Sequence, residues 1–207
     1  MYVSRSGSTA RRRTQAERRA HTRAALLEAA ARGFSRYGYG NLVLEQVAND
    51  AGYTRGALYH LFHGKEDLAL AVVEWVAATW EHEVWQVAQR QADPVDVLIA
   101  LARGHVVFCR RDVARVMMAL RVEFDGRDHP VGRAVKEIGK SLAERFSALI
   151  ASGRRAGSIP PGPPARTLAL GAISALEGLA IQLAGAPHDV ALAERMVRGV
   201  LGLPPVA

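Results

Sequence analysis

The stretch "LEQVANDAGYTRGALYHLF", residues 44–62, narrows the fold more than any other part of this chain. Leu44, Val47, Ala48 and Ala51 recur at i, i+3, i+4 and i+7, the apolar stripe of a short helix. Gly52 stops it, and Thr54 is placed to cap a second helix that buries Leu58, Leu61 and Phe62. Helices this short are marginal in water. They persist only by packing on each other and on the helix before them. Ala48 is small enough for a close crossing, and Gly52 can take the left-handed conformation that a sharp turn needs. A small residue, a glycine four later and Leu58 six after that make the spacing of a helix-turn-helix. In that arrangement the second helix enters the DNA major groove.

The outward face of that second helix agrees. Arg55/Tyr59 and Gly56/His60 are i, i+4 pairs opposite the buried leucines. An arginine in the first turn can reach guanine O6 and N7 with its fork. Gly56 lets the backbone approach DNA, and Tyr59 and His60 can donate to phosphates. Lys65 stands at the next helix start, a place suited to a phosphate oxygen. Thr54, Arg55, Gly56, Tyr59, His60 and Lys65 are therefore the expected DNA contacts. Charge placement points the same way. Residues 1–65 hold eleven Lys/Arg against four Asp/Glu, and the other 142 residues carry sixteen of each sign, so the whole excess of +7 lies in the first third. Such asymmetry implies a polyanion partner for that part alone.

The rest of the chain reads as all-α. Residues 1–13 form an expected disordered basic arm. "TQAE" is a capping box opening a first helix, with Leu27, Ala30, Ala31, Phe34 and Tyr37 at helical spacing and Gly38 and Gly40 at its end. Lys65 opens a long helix to about Arg90, roughly 39 Å at 1.5 Å per residue. Further helices are expected near 94–111, 113–124, 130–155, 164–184 and 190–202, with Pro and Gly at the joints. "HVVFC" lies within a helical period, and no strand pattern is found. The expected domains are a helix-turn-helix unit over 14–65 and a helical unit over 66–207. No run of 18 apolar residues suggests a membrane span. The basic N-terminus lacks the apolar run of a secretory signal, and the single Cys109 fits a reducing cytoplasm.

The segment "LEQVANDAGYTRGALYHLFHGKEDL", with "RRAHTRAALLEAAARGFSRYGYGNL" upstream, resembles the DNA-binding segment of the TetR (tetracycline-repressor-like) transcriptional regulators. The motif covers about residues 20–80; beyond that, the chain shares only the family's length and helical pattern. The resemblance implies a homodimer that binds a palindromic operator on double-stranded DNA, usually represses, and is released by a small molecule bound in the C-terminal domain. One departure stands out. The family usually has Ser or Thr capping the second helix, whereas this chain has Val43, with Asn41 nearby as a substitute cap.

The long helix would join the DNA end to the ligand end. Trp75, Trp80, His105, Phe108, Met117, Met118, Arg121 and Phe124 are the expected pocket lining, chosen by spacing, while the alternative for the three tryptophans, Trp85 included, is packing. The resemblance further implies that the last two helices pair with a partner's to form the dimer interface. Ala172, Ala175, Gly178, Leu192, Met196 and Val200 suit that role, with an intrachain bundle as the alternative. No catalytic constellation, cofactor or metal site is expected. His60-x-x-His63 has no companion ligands, "HEV" at 82–84 lacks a second histidine four residues on, and Cys109 reads as a buried, inert thiol. Competing readings are a DNA-binding regulator without a small-molecule ligand and a basic helical adaptor.

Overall fold

A computed structural model describes residues 14–205; the basic arm over 1–13 lies outside the described residues. Helix α1 (Gln15–Asn41) starts at a capping box: Thr14 Oγ1 accepts the Glu17 N–H at 3.2 Å and the Glu17 carboxylate accepts the Thr14 N–H at 2.7 Å. Leu26, Leu27, Ala30, Ala31 and Phe34 are buried. Tyr37 is not part of that stripe; it is 48% exposed, because Gly38 at φ 75° kinks the helix just beyond it, before a last helical turn to Asn41.

Helices α2 (Leu44–Asp50) and α3 (Arg55–Leu61) form the expected tight pair. Gly52 takes φ 75° between them, and the Tyr53 N–H returns to the Ala48 carbonyl at 2.9 Å. Val47, Ala48, Leu58 and Phe62 are buried, while Leu44, Ala51 and Leu61 are half-buried against the same core. Val43 occupies the N-cap of α2 with no side-chain bond. Asn41 does not substitute for it, since its amide donates back to the Tyr37 carbonyl at 3.1 Å.

Helix α4 (Lys65–Trp80) continues through a π-helical turn, Glu81–Trp85, and a last turn, Gln86–Ala88. The long helix is thus present, with an extra residue inserted where Trp80 and Glu81 face the second domain. Such insertions recur at binding sites. Next come α5 (Pro94–Cys109), a 3-10 turn (Asp112–Arg115), α6 (Val116–Glu123), α7 (Pro130–Ala156), α8 (Ala165–Leu183) and α9 (Asp189–Leu201). No strand occurs among the described residues. Helix α5 is central to the second domain, touching α7, α8 and α9. Its Leu98, Leu101, Ala102 and Val106 are among the most buried residues.

Two carboxylates are buried here and both are met by arginine. Asp189, at the start of α9, accepts Arg110 Nη2 and Nε at 2.7 and 3.0 Å and the N–H groups of Val190 and Gly185, each at 2.7 Å. The Arg110 guanidinium and these amides hold its carboxyl down at about 2. Glu194 sits between Arg103 and Arg198.

Candidate functional site

The α3 face is an open, basic surface. Thr54 Oγ1 accepts the Ala57 N–H at 3.2 Å and fixes the helix start. One turn on, the Arg55 guanidinium lies 5.3 Å from the Tyr59 ring centroid, and that ring is 43% exposed. The stacking holds the arginine fork above the helix before any partner arrives, which lowers the ordering entropy of a base contact. A Cβ on Gly56 would meet nothing nearer than Thr54 Oγ1 at 3.8 Å, so the space there is open to an incoming backbone. His60 is exposed beside them. Five of the six expected DNA contacts, Thr54, Arg55, Gly56, Tyr59 and His60, therefore share this surface.

Lys65 is the exception. Its ammonium donates to the carbonyls of Tyr39 and Gly40, at 3.0 Å each, and lies 5.4 Å from the Tyr39 ring centroid. A lysine at a helix start was expected to face phosphate; instead the carbonyls at the end of α1 are within its reach and take its donors. Those two residues are held from the other side by Glu123 at the end of α6. Its carboxylate accepts the Tyr39 N–H at 2.5 Å and the Gly40 N–H at 2.8 Å. Gly38 leaves the room required, for a Cβ there would stand 2.7 Å from Glu123 Oε2. Lys65 and Glu123 thus clamp one turn between them, and the Tyr39 ring packs on Phe34, Phe124 and His129. This joint ties the helix-turn-helix to the second domain through α6 as well as α4. Sequence reasoning missed Glu123, because a glutamate 84 residues from its partner carries no local signal.

Beside the far end of α4 lies a cavity of about 470 Å3, bounded by α4, α5, α6 and α7 and by Glu177 of α8. Trp80, His105, Phe108, Met117 and Arg121, all expected, line it, as do Ile138 and Leu142. Trp75, Met118 and Phe124 do not. Trp75 packs against the core although its neighbour Val76 lines the cavity, Met118 is half-buried outside it, and Phe124 lines a neighbouring cleft and stacks on His129. Spacing alone could not say which face of α6 the other helices would cover.

The polar wall of this cavity is ordered. Trp80 Nε1 donates to His105 Nδ1 at 3.2 Å, so Nδ1 bears no proton. Burial pushes the His105 imidazole down to about 4, which keeps it neutral at pH 7. Cys109 Sγ lies 3.5 Å from Nε2, and burial pushes its thiol up to about 12. A thiol with that value is protonated and inert. Arg145 pairs with Glu81 at 2.8 Å, and its guanidinium stacks 3.4 Å from the centroid of the Trp85 ring. No cluster of three or more metal-ligating side chains occurs among the described residues.

The last two helices distribute their small residues differently from expectation. Ala172 is buried inside the chain, whereas Met196 and Val200 are half-buried, Val200 touching α8 near Gly171, and each keeps an exposed side. Periodicity shows which residues share a face but not whether their own chain covers it. The uncovered large apolar side chains of these two helices are Leu170 at 48%, Ile181 at 54%, Leu183 at 40% and Leu192 at 37% exposure, with Gly178 opening onto free space between the first two. Ala175 is half-buried.

The described residues thus form a helix-turn-helix with an open basic face, joined by a clamped turn to a set of helices with its own cavity. Comparison with known proteins agrees. Residues 26–72 match the model of the bacterial regulatory proteins of the tetR family. The transcriptional repressor BepR of Brucella suis is 29% identical over 163 residues, covering 76% of this chain and 78% of that protein. The transcriptional regulator YxaF of Bacillus subtilis is 35% identical over 81 residues, 39% of this chain, and the match spans only 42% of that relative's length. Among solved structures, AibR in complex with isovaleryl coenzyme A and operator DNA superposes with a TM-score of 0.71 at 20% identity, over 89% of this chain and 100% of that one. The match is thus to the DNA-binding segment of the bacterial tetR-family regulators over residues 26–72, with a weaker likeness to BepR along three quarters of the chain.

Proposed function

We propose that this protein is a cytoplasmic transcriptional repressor that binds a palindromic DNA operator as a homodimer and leaves it when a small molecule occupies the cavity beside Trp80. The observation that carries this reading is the continuity of one helix. Lys65, at the start of α4, holds the turn that anchors the helix-turn-helix, and Trp80, at its other end, lines the cavity. In this reading residues 14–65 form the DNA-binding domain and residues 66–207 the sensing and dimerisation domain. Arg55 reads a base, and Tyr59 and His60 hold phosphates. Gly178, Ile181 and Leu192 meet the partner. AibR, a protein of the same fold, holds both a coenzyme A thioester and operator DNA, which supports two linked sites. Selection of bound sequences from random duplex DNA tests the proposal. An inverted repeat with half-site centres about 34–36 Å apart, one helical turn, is expected. A single asymmetric site, or no enrichment, would refute it.

A further inference from the structure

Two cavities of opposite character meet in the second domain. The first is the apolar cavity of about 470 Å3 described above; the second is a cleft of about 740 Å3 between the end of α6, α7 and α8. Arg121, Gly139 and Glu177 line both. Arg121 Nη1 donates to the two Glu177 oxygens at 2.6 and 2.8 Å, so a single ion pair forms the partition. Gly139 gives that guanidinium its room, since a Cβ there would lie 3.3 Å from Arg121 Nη2.

The cleft is basic beyond what its own ion pairs use. Arg121, Arg127, Arg133, Lys136, Lys140 and Arg166 face only Asp125, Asp128 and Glu177. Arg133 pairs with Asp128, Arg121 with Glu177, and Lys140 with Glu137 at 3.7 Å. Arg127, Lys136 and Arg166 have no carboxylate within ion-pair distance among the described residues. Three cations around one concavity repel each other, and a bound anion relieves that repulsion. Both volumes lie in the range of small-molecule sites.

We infer that the two cavities together hold an amphipathic anion, its apolar acyl or alkyl tail beside Trp80 and Leu142 and its phosphate-bearing head among Arg127, Lys136 and Arg166. This rests on the reading of the apolar cavity as the sensing site. The tail passes the Arg121–Glu177 pair. There the guanidinium turns from Glu177 to the ligand, because its fork matches phosphate as well as carboxylate. Arg121 is two residues from Glu123, so a pull on that part of α6 reaches the clamped turn at Tyr39 and Gly40.

Calorimetric titration of the full chain with octyl phosphate, octanoyl-coenzyme A and 1-octanol tests the inference. At least one charged probe should bind tenfold or more tighter than 1-octanol. The tighter of the two then tells a bare phosphate head from a nucleotide-bearing one. Lys136→Glu with Arg166→Glu should bring that probe to the 1-octanol level and leave 1-octanol unchanged. Leu142→Trp, which fills the tail cavity, should abolish binding of all three. Equal binding of the three probes, or binding of 1-octanol alone, would overturn the inference and leave the sensing site standing. Binding of none would count against both. Dissociation of the dimer by the double variant would assign these cations to the partner chain and overturn the inference too.

Discussion

Replacing Glu123 with alanine removes the carboxylate that holds the turn between the two domains. Its two bonds differ in worth. The Tyr39 N–H is half-buried, and losing a charged acceptor there costs about 1.5–3 kcal/mol. The Gly40 N–H is exposed, so water replaces the carboxylate and the loss is about 0.5 kcal/mol. The sum, roughly 2–3.5 kcal/mol, lowers Tm by about 4–14 °C for a chain of this size. The damage should also be uneven. All three tryptophans, Trp75, Trp80 and Trp85, belong to the long helix and the second domain, whereas far-UV circular dichroism reports every helix. In the variant the dichroism should therefore begin to melt below the tryptophan fluorescence, while in the parent the two coincide. Gly38→Ala, whose Cβ would press on the same carboxylate, should reproduce the pattern from the other side. Coincident transitions at the parent midpoint in Glu123→Ala would refute the role given to this clamp.

The remaining expectations follow from single contacts. The His105 imidazole is held at about 4 against an ordinary 6.5, so the unfolded chain takes up a proton that the folded chain refuses as pH falls from 6.5 to 4; stability drops across that window by up to about 3 kcal/mol. His105→Gln should flatten denaturation midpoints between pH 6.5 and 4, and a profile as steep as the parent's would show that another group is responsible. Asp189→Ala leaves two amides and Arg110 without their acceptor, and should cost about 3 kcal/mol in chemical denaturation; a loss under about 1 kcal/mol would mean that the latch is idle. A Cβ at Gly178 meets nothing within 4 Å and leucine is a better helix former, so in Gly178→Leu the fold should hold while sedimentation shows monomers; a persisting dimer would put the interface elsewhere.

What the sequence showed and what it hid divide along physical lines. Local chemistry was legible: the Thr14 capping box, the Gly52 turn, the Thr54 cap and the paired faces of α2 and α3 are all decided within a few residues. Long-range charge was not. Glu123 meets residues 84 and 83 positions away, and Lys65 was read toward solvent because its acceptors lie 26 and 25 positions upstream. Burial within α8 and α9 was hidden for another reason. Alanine and glycine permit close approach by either an intrachain or a partner helix, so composition could not tell Ala172, which its own chain covers, from Gly178, which it leaves open. The π-helical turn at Glu81–Trp85 has no signal in the sequence that we recognise.

The central claim is that the exposed face of α3 reads DNA sequence through Arg55. Its direct test is the full base-preference profile of Arg55→Ala, measured beside the parent by sequencing duplexes selected from a random pool. Loss of discrimination at one symmetric pair of positions, worth about 1–3 kcal/mol, with the half-site spacing unchanged, is the predicted result. An unaltered profile, or an equal loss of affinity for every sequence, would contradict it.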